Sequence, residues 1–436
     1  MNCLEKDNIP AGYKDSAVGI IPQEWEVKPF KNLGTFLRTN TLSREHMNNV
    51  EGLALNIHYG DVLVRYGEIL DCSKTAIPWV NNSCRETRLG DRLQNGDIVI
   101  SDTAEDYRVG KATEVCNVGN NCVLSGLHTM AFRPPKETFA LRYLGYYFNS
   151  PAYRAQLYSL IQGIKVCSIS KSAISNTYIP VPPMEEQRKI AEILGVWDEA
   201  IEKQSRLIER LEVCKRALMQ RLLTGRVRFS GFTTPWQKIK LGEIGNTYNG
   251  LTGKSKDDFE NGNVKFIPYV NVFSNEKIDV NNLGCVNVDS DENQNKVKFG
   301  DIFFTVSSET PDEVGMASVL LEDAEDTYLN SFCFGYRLNN FDVLNPVFAS
   351  YILRGDKFRK SIITLAQGST RFNISKSEVM KLLIELPSLH EQKAIAEVLM
   401  AADNEIATHR KKLDALRLQK RGLMQQLLTG KTRVKI

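Results

Sequence analysis

A long stretch of this sequence occurs twice, and this internal repeat constrains the fold more than any other feature of the chain. The first copy begins at Ile179, the second begins at Ile384, and they align without a gap at an offset of 205 residues. Within the alignment, Glu186-Gln187 coincides with Glu391-Gln392. A repeat of this length indicates that the chain is built from two related halves.

Each copy of the repeat predicts one long α-helix. Pro182 and Pro387 lie just before the two helices, where a missing N–H costs nothing. Gly225 and Gly430 lie near their ends, where glycine readily enters the left-handed conformation that terminates a helix. About 40 residues at ~1.5 Å each make a rod of roughly 60 Å.

The apolar residues of both helices follow a heptad pattern, with steps that alternate between four and three residues. The pattern is interrupted by polar residues at the same two places in each copy, because Gln204 coincides with His409 and Lys215 with Lys420. Burial alone does not need matched polar breaks, whereas polar seam residues can fix register and partner. The predicted coiled-coil seam consists of Ile190, Leu194, Trp197, Ile201, Gln204, Ile208, Leu211, Lys215, Leu218 and Leu222, with Ile395, Leu399, Ala402, Ile406, His409, Leu413, Leu416, Lys420, Leu423 and Leu427.

The chain alternates between globular blocks and helices. We expect a first domain at 1–178, the first helix at 179–229, a second domain at 230–383 and the second helix at 384–436. The helices can bury their seams only against each other or against a partner, and the second domain must bring the chain back. The expected fold class is therefore α+β, with two mixed α/β domains separated by two long antiparallel helices that form a coiled coil with pseudo-two-fold symmetry.

Short matches indicate that both domains use one scaffold with two different surfaces. The turn at Gln162-Gly163 coincides with Gln367-Gly368, and Ile169–Ser172 coincides with Ile374–Ser377. Between such anchors the two sequences differ almost completely. Strands entered from Gly-Asp turns are predicted at Asp61–Arg65, Asp97–Ile100 and Asp301–Val306.

Composition restricts the compartment and the way in which a ligand could be bound. The chain has 436 residues, no long apolar run, and nine cysteines without a Cys-x-x-Cys pair, which favours reduced thiols in a cytosolic protein without membrane contact. The net charge is +3 over residues 30–178 and −4 over residues 236–383. Binding to nucleic acid would therefore depend on placed residues, and on positive surface from a partner, rather than on bulk charge.

Signatures of catalysis are incomplete. Gly250–Ser255 resembles a phosphate-binding loop, but Tyr248 occupies the place of the first required glycine. Asn345–Phe348 lacks the second proline of the Asn-Pro-Pro-aromatic site of amino-methyltransferases, and Pro311-Asp312 lacks the Glu-x-Lys partner of a nuclease site. The five histidines show no metal-ligand spacing. We expect that this chain alone is not an enzyme and holds no metal.

The motifs at the ends of the repeat resemble those of a known family, the specificity subunits of type I restriction–modification enzymes. The resemblance covers essentially the whole chain and is carried by PPMEEQRKIAEIL, PSLHEQKAIAEVL, RLLTG, QLLTG, GYKDSAVGIIPQEW, GIKVCSISKS and GSTRFNISKS. It implies two target-recognition domains, each of which reads one half of an interrupted duplex DNA target, and a pair of helices that sets the gap.

The same resemblance implies the partners of this chain. Two methyltransferase subunits would dock on it and transfer a methyl group from S-adenosylmethionine to N6 of adenine. ATP-driven motor-nuclease subunits would join through the complex. S-adenosylmethionine, ATP and Mg²⁺ would then belong to the partners, and this chain would hold no cofactor.

The residues expected to contact DNA are basic and hydrogen-bonding side chains on turns and loops. The two matching turns stand out because they stay equivalent while their neighbours diverge. The candidates in the first domain are Arg65, Tyr66, Tyr107, Arg108, Lys111, Lys165, Ser168, Ser170 and Lys171. Those in the second domain are Lys254, Lys256, Ser307, Ser308, Thr370, Arg371, Asn373, Ser375 and Lys376.

Two other functions stay open on the sequence alone. A coiled-coil protein–protein adaptor without DNA specificity agrees with the weak net charge, although the two divergent domains oppose it. A nuclease or methyltransferase that acts alone would require activity of the isolated chain with magnesium or S-adenosylmethionine.

Overall fold

The computed structural model describes residues 9–84, 89–259 and 262–436, and Cys3 lies outside these ranges. The chain folds as two compact units. Unit 1 comprises Met1–Ser205 together with Lys411–Ile436, and unit 2 comprises Arg206–Arg410. Each unit thus combines one mixed domain with parts of both long helices.

Unit 1 is built from short strands and short helices, followed by the first long helix. The strands are β1 (Tyr13–Lys14), β2 (Ile21–Pro22), β3 (Glu26–Pro29), β4 (Thr35–Leu37), β5 (Met47–Asn48), β6 (Leu55–Ile57), β7 (Ile69–Asp71), β8 (Trp79–Val80), β9 (Ile98–Ser101), β10 (Thr103–Ala104), β11 (Ala112–Cys116), β12 (Val123–Ser125), β13 (Thr129–Arg133), β14 (Cys167–Ser168) and β15 (Tyr178–Val181). The helices are α1 (Tyr59–Val64), α2 (Tyr143–Phe148), α3 (Pro151–Leu157) and α4 (Lys171–Ser175). The long helix α5 (Met184–Leu222) begins in unit 1 and belongs to it as far as Ser205.

Two mixed sheets form the frame of unit 1. The larger has the strand order β4-β13-β9-β11-β7, in which only the pairing of β11 with β7 is parallel. The smaller has the order β12-β6-β8-β5, with β12 parallel to β6. Buried Trp25, Phe132 and Tyr143 belong to the same apolar core as Ile190 and Leu194 of α5. The domain is therefore packed firmly against the start of the long helix.

Unit 2 repeats this plan with different loops. Its strands are β16 (Gln237–Lys240), β17 (Gly245–Asn249), β18 (Val264–Ile267), β19 (Gly284–Val286), β20 (Ile302–Thr305), β21 (Ser307–Ser308), β22 (Ala317–Val319), β23 (Thr327–Leu329), β24 (Cys333–Leu338), β25 (Phe372–Asn373) and β26 (Leu383–Leu386). Its helices are α6 (Leu241–Ile244), α7 (Tyr269–Ser274), α8 (Pro346–Ile352), α9 (Asp356–Ile363) and α10 (Lys376–Lys381). The long helix α11 (Leu389–Leu427) begins in unit 2 and belongs to it as far as Arg410.

The sheets of unit 2 resemble those of unit 1. One has the antiparallel order β17-β24-β20-β22, and the other has the order β19-β18-β23 with β18 parallel to β23. Phe304, Phe334 and Tyr351 share one apolar core with Ile395 and Leu399 of α11. A mixed α/β architecture in both units agrees with the sequence-based expectation, and the predicted domain boundaries stay predictions.

Both long helices have the expected length and end where a glycine permits it. Helices α5 and α11 contain 39 residues each. Gly225 has a φ of +68° and Gly430 a φ of +69°. Beyond Gly225, the N–H of Val227 donates to the carbonyl oxygen of Arg221 at 3.3 Å. This bond satisfies a carbonyl group that the helix end leaves without a partner.

The predicted seam is buried or half-buried at all positions except one. Leu218 is 36% exposed, whereas the neighbouring Met219 packs against the core of unit 2. The seam prediction at Leu218 is therefore corrected to Met219. An α-helix has ~3.6 residues per turn, so a strict 3.5-residue repeat drifts off the buried face after several turns.

The second polar break of the seam is an ion-pair site in unit 1. The ammonium group of Lys420 donates to Glu68 Oε2 at 2.9 Å, and the hydroxyl of Tyr146 donates to Asp198 Oδ2 at 2.5 Å. Glu68 lies in the loop before β7, whereas Asp198 lies on α5. The polar break thus joins the domain to both helices within this unit.

Unit 2 contains a corresponding site around Lys215. Its ammonium group lies 2.9 Å from Glu276 Oε2 and 2.6 Å from Asp403 Oδ1. Asp403 also accepts from the ammonium group of Lys277 at 3.0 Å and from the hydroxyl of Tyr351 at 2.5 Å. Unit 2 therefore brings two lysines to the aspartate of its helix.

Two of the three predicted strands are confirmed, and the third is wrong. Strands β9 and β20 cover the predicted runs at Asp97–Ile100 and Asp301–Val306 to within a few residues. Asp61–Arg65 instead lies in and just after the helix α1. The ring of His58 accepts from the N–H of Gly60 at 3.2 Å and so caps the first turn of this helix.

Candidate nucleic-acid interface

The two halves of the chain share a turn, which in unit 1 carries Lys165, Ser168, Ser170 and Lys171. This shared turn lies beside the loop that follows β9. Thr103 and Ala104 pair with Ser168 and Cys167 in a short antiparallel ladder. The N–H of Ile169 also donates to the carbonyl oxygen of Asp102 at 2.9 Å. Residues far apart in sequence are thereby held on one surface.

Unit 2 makes the same connection. Ser307 and Ser308 pair with Asn373 and Phe372, and the N–H of Ile374 donates to the carbonyl oxygen of Val306 at 3.0 Å. The structure therefore brings together, in each unit, the matching turn and a loop that carries other residues expected from the sequence to contact DNA.

The turn of unit 1 presents its candidate side chains to solvent. Lys165, Ser168, Ser170 and Lys171 are all exposed, and Ile164 at the tip is 99% exposed. Ser170 Oγ accepts from the N–H of Ala173 at 3.1 Å and caps α4. Lys171 Nζ lies 5.4 Å from the centroid of the Phe36 ring. Ser170 thus has a structural role as well, whereas Lys165 is exposed at the tip.

The turn of unit 2 has the same construction and different chemistry. Thr370, Arg371, Asn373 and Ser375 are exposed. Lys376 is half-buried, donates to the side-chain oxygen of Asn249 and lies 5.8 Å from the Phe334 ring centroid. Burial lowers the pKa of the Lys376 ammonium group. Arg371 is consequently the exposed cation of this turn.

The candidate loop residues of unit 1 divide into exposed and structural ones. Tyr107 is 66% exposed, and exposed Arg108 pairs with Asp106 at 2.8 Å. Lys111 donates to the carbonyl oxygens of Leu63 at 3.0 Å and Tyr66 at 2.9 Å, and burial lowers its pKa. Lys111 therefore holds α1 against the sheet, and its contact with DNA stays a prediction.

Arg65 belongs to a pair of arginines of which the sequence reasoning missed one member. Arg65 Nη1 donates to Asp61 Oδ1 at 3.3 Å, and Arg44 Nη1 donates to Asp61 Oδ2 at 2.8 Å. The Asp61 side chain is only 3% exposed, whereas the two arginine side chains are about half exposed, at 50% and 49%. One buried carboxylate thus orients two guanidinium groups toward solvent, an arrangement that suits a phosphate.

Four candidates are placed in the interior, and the predictions for them are corrected. Tyr66 is 3% exposed, and burial raises the pKa of its hydroxyl. The side chain of Lys254 is 7% exposed and pairs with Glu292. Ser307 and Ser308 are buried in the short ladder with the turn. Each of these side chains belongs to packing or pairing within its unit, whereas Lys256 is exposed.

A second group that the sequence reasoning missed lies beside the turn of unit 1. The ring of His128 contacts the Tyr59 ring edge-on, with centroids 5.3 Å apart. Its Nδ1 lies 3.4 Å from Asp102 Oδ1 and 3.4 Å from Thr103 Oγ1. The sequence contained a signal for this position. Gly96 matches Gly300 at an offset of 204 residues, and the same offset aligns His128 with Phe332.

The described residues provide no obvious metal site and no membrane span. In the ranges that the structure covers, three or more His, Cys, Asp or Glu side chains nowhere gather in a way that could hold a metal ion. None of the helices found there is long and apolar enough to cross a membrane.

Comparison with known families gives a match to both halves of the chain. A family model described as "Type I restriction modification DNA specificity domain" matches residues 22–213 and again residues 234–418. The two matches include most of the chain and coincide with its internal repeat.

Individual relatives point the same way. The chain is 27% identical to a putative type I restriction enzyme MjaX specificity subunit of Methanocaldococcus jannaschii, over 97% of each protein. It is 30% identical to the type I restriction enzyme MjaVIII specificity subunit of the same organism, over 64% of this chain and 68% of that protein.

A solved structure supports the fold. One chain of a structure described as "Structural basis underlying complex assembly and conformational transition of the type I R-M system" superposes with a TM-score of 0.61 at 17% identity. The superposition covers 94% of this chain and 99% of that chain. At this identity the likeness shows a shared fold.

Proposed function

The chain belongs to the family of type I restriction–modification DNA specificity subunits, and we propose on that basis that each of its two domains reads one half of an interrupted duplex target. The observation that carries this proposal is the pairing of loop with turn in each unit. Thr103–Ala104 pairs with Cys167–Ser168 in unit 1, and Ser307–Ser308 pairs with Phe372–Asn373 in unit 2.

The two reading surfaces carry different side chains on the same frame. The turn of unit 1 exposes Ile164 and Lys165, whereas the turn of unit 2 exposes Thr370 and Arg371. Different hydrogen-bonding groups select different base edges. The two half-sites therefore differ in sequence, and the complete target is asymmetric.

We further propose that α5 and α11 run antiparallel as a coiled coil with pseudo-two-fold symmetry and that this pair sets the gap. Contacts within each unit support the direction. Near the start of α5, Glu186 accepts from Arg433 at 2.7 Å, and near the start of α11, Glu391 accepts from Arg228 at 2.8 Å. In both cases the residue that follows one helix meets the beginning of the other.

The chemistry of modification and cleavage is assigned to partner subunits. Two methyltransferase subunits carry S-adenosylmethionine, and motor-nuclease subunits carry ATP and Mg²⁺. This chain supplies the sequence reading and the docking surface. Its exposed apolar helix residues, which include Val196 at 63% and Leu418 at 69% exposure, are available for such docking.

The experiment is to express the chain with its methyltransferase partner in a host that lacks other DNA methylation, and to map modified adenines. We expect one interrupted, asymmetric motif. Lys165→Ala is expected to weaken recognition of one half-site, and Arg371→Ala is expected to weaken recognition of the other. A stable complex without methylation of any motif would oppose this function and favour a protein adaptor.

A further inference from the structure

His128 in unit 1 and Phe332 in unit 2 occupy the same place in their domains. Each residue directly precedes a central strand, β13 or β24. The N–H of Asp102 donates to the carbonyl oxygen of His128 at 3.1 Å, and the N–H of Val306 donates to that of Phe332 at 3.0 Å. The two backbones are thus held by the same bond, while the side chains differ in chemistry.

This place adjoins the shared turn in both units. The carbonyl oxygen of Asp102 accepts from Ile169, and that of Val306 accepts from Ile374. A short series of backbone hydrogen bonds therefore connects position 128 or 332 to the turn that follows Gln162 or Gln367. A ligand that lies on the turn lies within reach of that side chain.

Both side chains are presented to solvent. The side chain of His128 is 47% exposed, and Phe332 is 61% exposed. His128 has a φ of +54°, in the left-handed region that residues other than glycine seldom adopt. Such backbone conformations occur preferentially at functional sites.

The ring of His128 is oriented before any ligand arrives. The hydroxyl of Thr103 donates its hydrogen to Asp102 Oδ1 at 2.8 Å. His128 Nδ1 therefore faces two acceptors, Thr103 Oγ1 and Asp102 Oδ1, and carries the ring proton in the neutral form. The Tyr59 ring also contacts the imidazole in a T-shaped arrangement. In the part of the chain that the structure describes, Nε2 has no hydrogen-bond partner, so it is left to accept one from a ligand.

We propose that positions 128 and 332 are equivalent specificity positions, a deeper statement of the proposed half-site reading on which it rests. His128 Nε2 accepts from the exocyclic amino group of an adenine or a cytosine in the first half-site. Phe332 contacts a thymine methyl group or stacks on a base in the second half-site. The same point of the scaffold is therefore polar in one domain and apolar in the other.

The test uses the complete complex with its methyltransferase subunits, with adenine mapping and binding to duplexes that differ at single base pairs. His128→Phe places the side chain of unit 2 in unit 1. His128→Asn is the fold-sparing variant, since asparagine tolerates a left-handed backbone. We expect both to lower discrimination at one base pair of the first half-site about tenfold, which corresponds to one lost base contact. The second half-site is expected to stay unchanged.

Phe332→Ala is expected to relax the second half-site alone. Phe341→Ala provides a matched control, because Phe341 is 41% exposed in the same domain. Its ring packs on Gly300, before β20, whereas Phe332 lies beside Val306, after that strand. We expect the control to keep the full motif.

The outcomes separate this inference from the proposed function. The complex without substitutions is expected to methylate a bipartite motif. If it does so and the variants at His128 and Phe332 keep the same motif and affinity, the two positions do not read bases, while the proposed function stands. If the complex without substitutions methylates no motif, both this inference and the proposed function are wrong.

Discussion

Lys420 and Asp198 form an ion pair within unit 1, with 2.5 Å between Nζ and Oδ1. The side chain of Lys420 is only 7% exposed, and Glu68 accepts from the same ammonium group. Asp198 lies on α5, Lys420 lies on α11, and Glu68 lies in the domain. One buried cation therefore holds three parts of the chain that are distant in sequence.

Replacing this lysine is expected to destabilise unit 1. Lys420→Met removes the cation and leaves two carboxylates that face each other without compensation. Loss of one partner from a buried ion pair costs about 3 kcal/mol. The free energy of unfolding, measured by urea denaturation, is expected to fall by about this amount.

Lys412→Met serves as the matched control, because Lys412 is an exposed residue on the same helix. Its replacement is expected to change the free energy of unfolding by less than about 0.5 kcal/mol. Equal effects of the two substitutions would show that the pairing around Lys420 does not stabilise the unit.

Asp198 and Asp403 are expected to affect stability with opposite dependence on pH. Burial raises the pKa of Asp198, and the attraction of Lys420 offsets this only in part. Burial also raises the pKa of Asp403, but hydrogen bonds from Lys215, Tyr351 and Lys277 outweigh it and leave that pKa lowered. Asp403 therefore contributes stability above the pKa of the unfolded chain, which is lost as the pH falls toward its folded pKa.

For Asp198 the dependence of stability on pH has the opposite sign. Its folded form binds a proton more tightly than the unfolded chain does, so its contribution is present below the unfolded pKa of about 3.9 and declines as the pH rises above that value. The measurement is the urea midpoint of unfolding as a function of pH across this range. Relative to the original protein, the Asp198→Asn and Asp403→Asn variants are expected to change the slope of this plot in opposite directions. A change of slope in the same direction would contradict this assignment.

Arg44 and Arg65 are expected to bind DNA phosphate without selecting a base. Asp61 holds both guanidinium groups, and Asn271 occupies its place on the corresponding helix of unit 2. Arg44→Ala and Arg65→Ala should each weaken binding to every duplex alike. Each should also reduce the slope of log affinity against log salt by about 1.

The control for this pair is Arg38→Ala. Arg38 is exposed and pairs with Asp91 on the same domain. We expect it to keep the original salt dependence. A loss of sequence preference in the Arg44 or Arg65 variant would show that the pair reads bases instead.

The sequence predicted those parts of the fold that repeat. The two long helices, the glycines that end them, and the two turns all produce matches at an offset of 205 residues. The heptad reading failed at Leu218 because the true helical period differs from that of the heptad. The strand prediction failed at Asp61, because the Gly-Asp pair there lies in the first turn of a helix that His58 caps.

Side-chain burial within loops could not be read from the sequence. Tyr66, Lys254 and Ser307 look like surface residues by type, and only long-range packing places them inside. Arg44 went unnoticed for the same reason, since its partner Asp61 lies 17 positions further on and carries no repeat signal. Polar partners of this kind depend on tertiary contacts that no local pattern specifies.

Arg371→Ala is expected to weaken binding to the cognate duplex by about 1–3 kcal/mol, as the loss of a base or phosphate contact does. Arg371 is exposed at the turn, and its side chain has no ion-pair partner in the described part of unit 2. The effect should appear in the dissociation constant at fixed salt and leave the free energy of unfolding nearly unchanged. Unchanged affinity and unchanged motif would remove Arg371 from the reading surface.

Lengthening both long helices is expected to lengthen the gap in the target. One heptad inserted between Ser205 and Arg206, and another between Arg410 and Lys411, keeps the phase of the seam in each helix. Seven residues add about 10.5 Å to a helix, which equals roughly three base pairs along duplex DNA. Methylation mapping should then report the same two half-sites with a gap longer by about three base pairs.

Two controls make this result specific. A heptad in α5 alone leaves α11 without matching seam positions, so we expect a less stable protein and no methylated motif. A seven-residue insertion in the exposed loop at residues 339–342, between β24 and α8, adds the same length outside the helices and should leave the gap unchanged. If the doubly lengthened protein kept both half-sites with the original gap, the helices would not set the spacing, and the distance between half-sites would have to be imposed by the partner subunits.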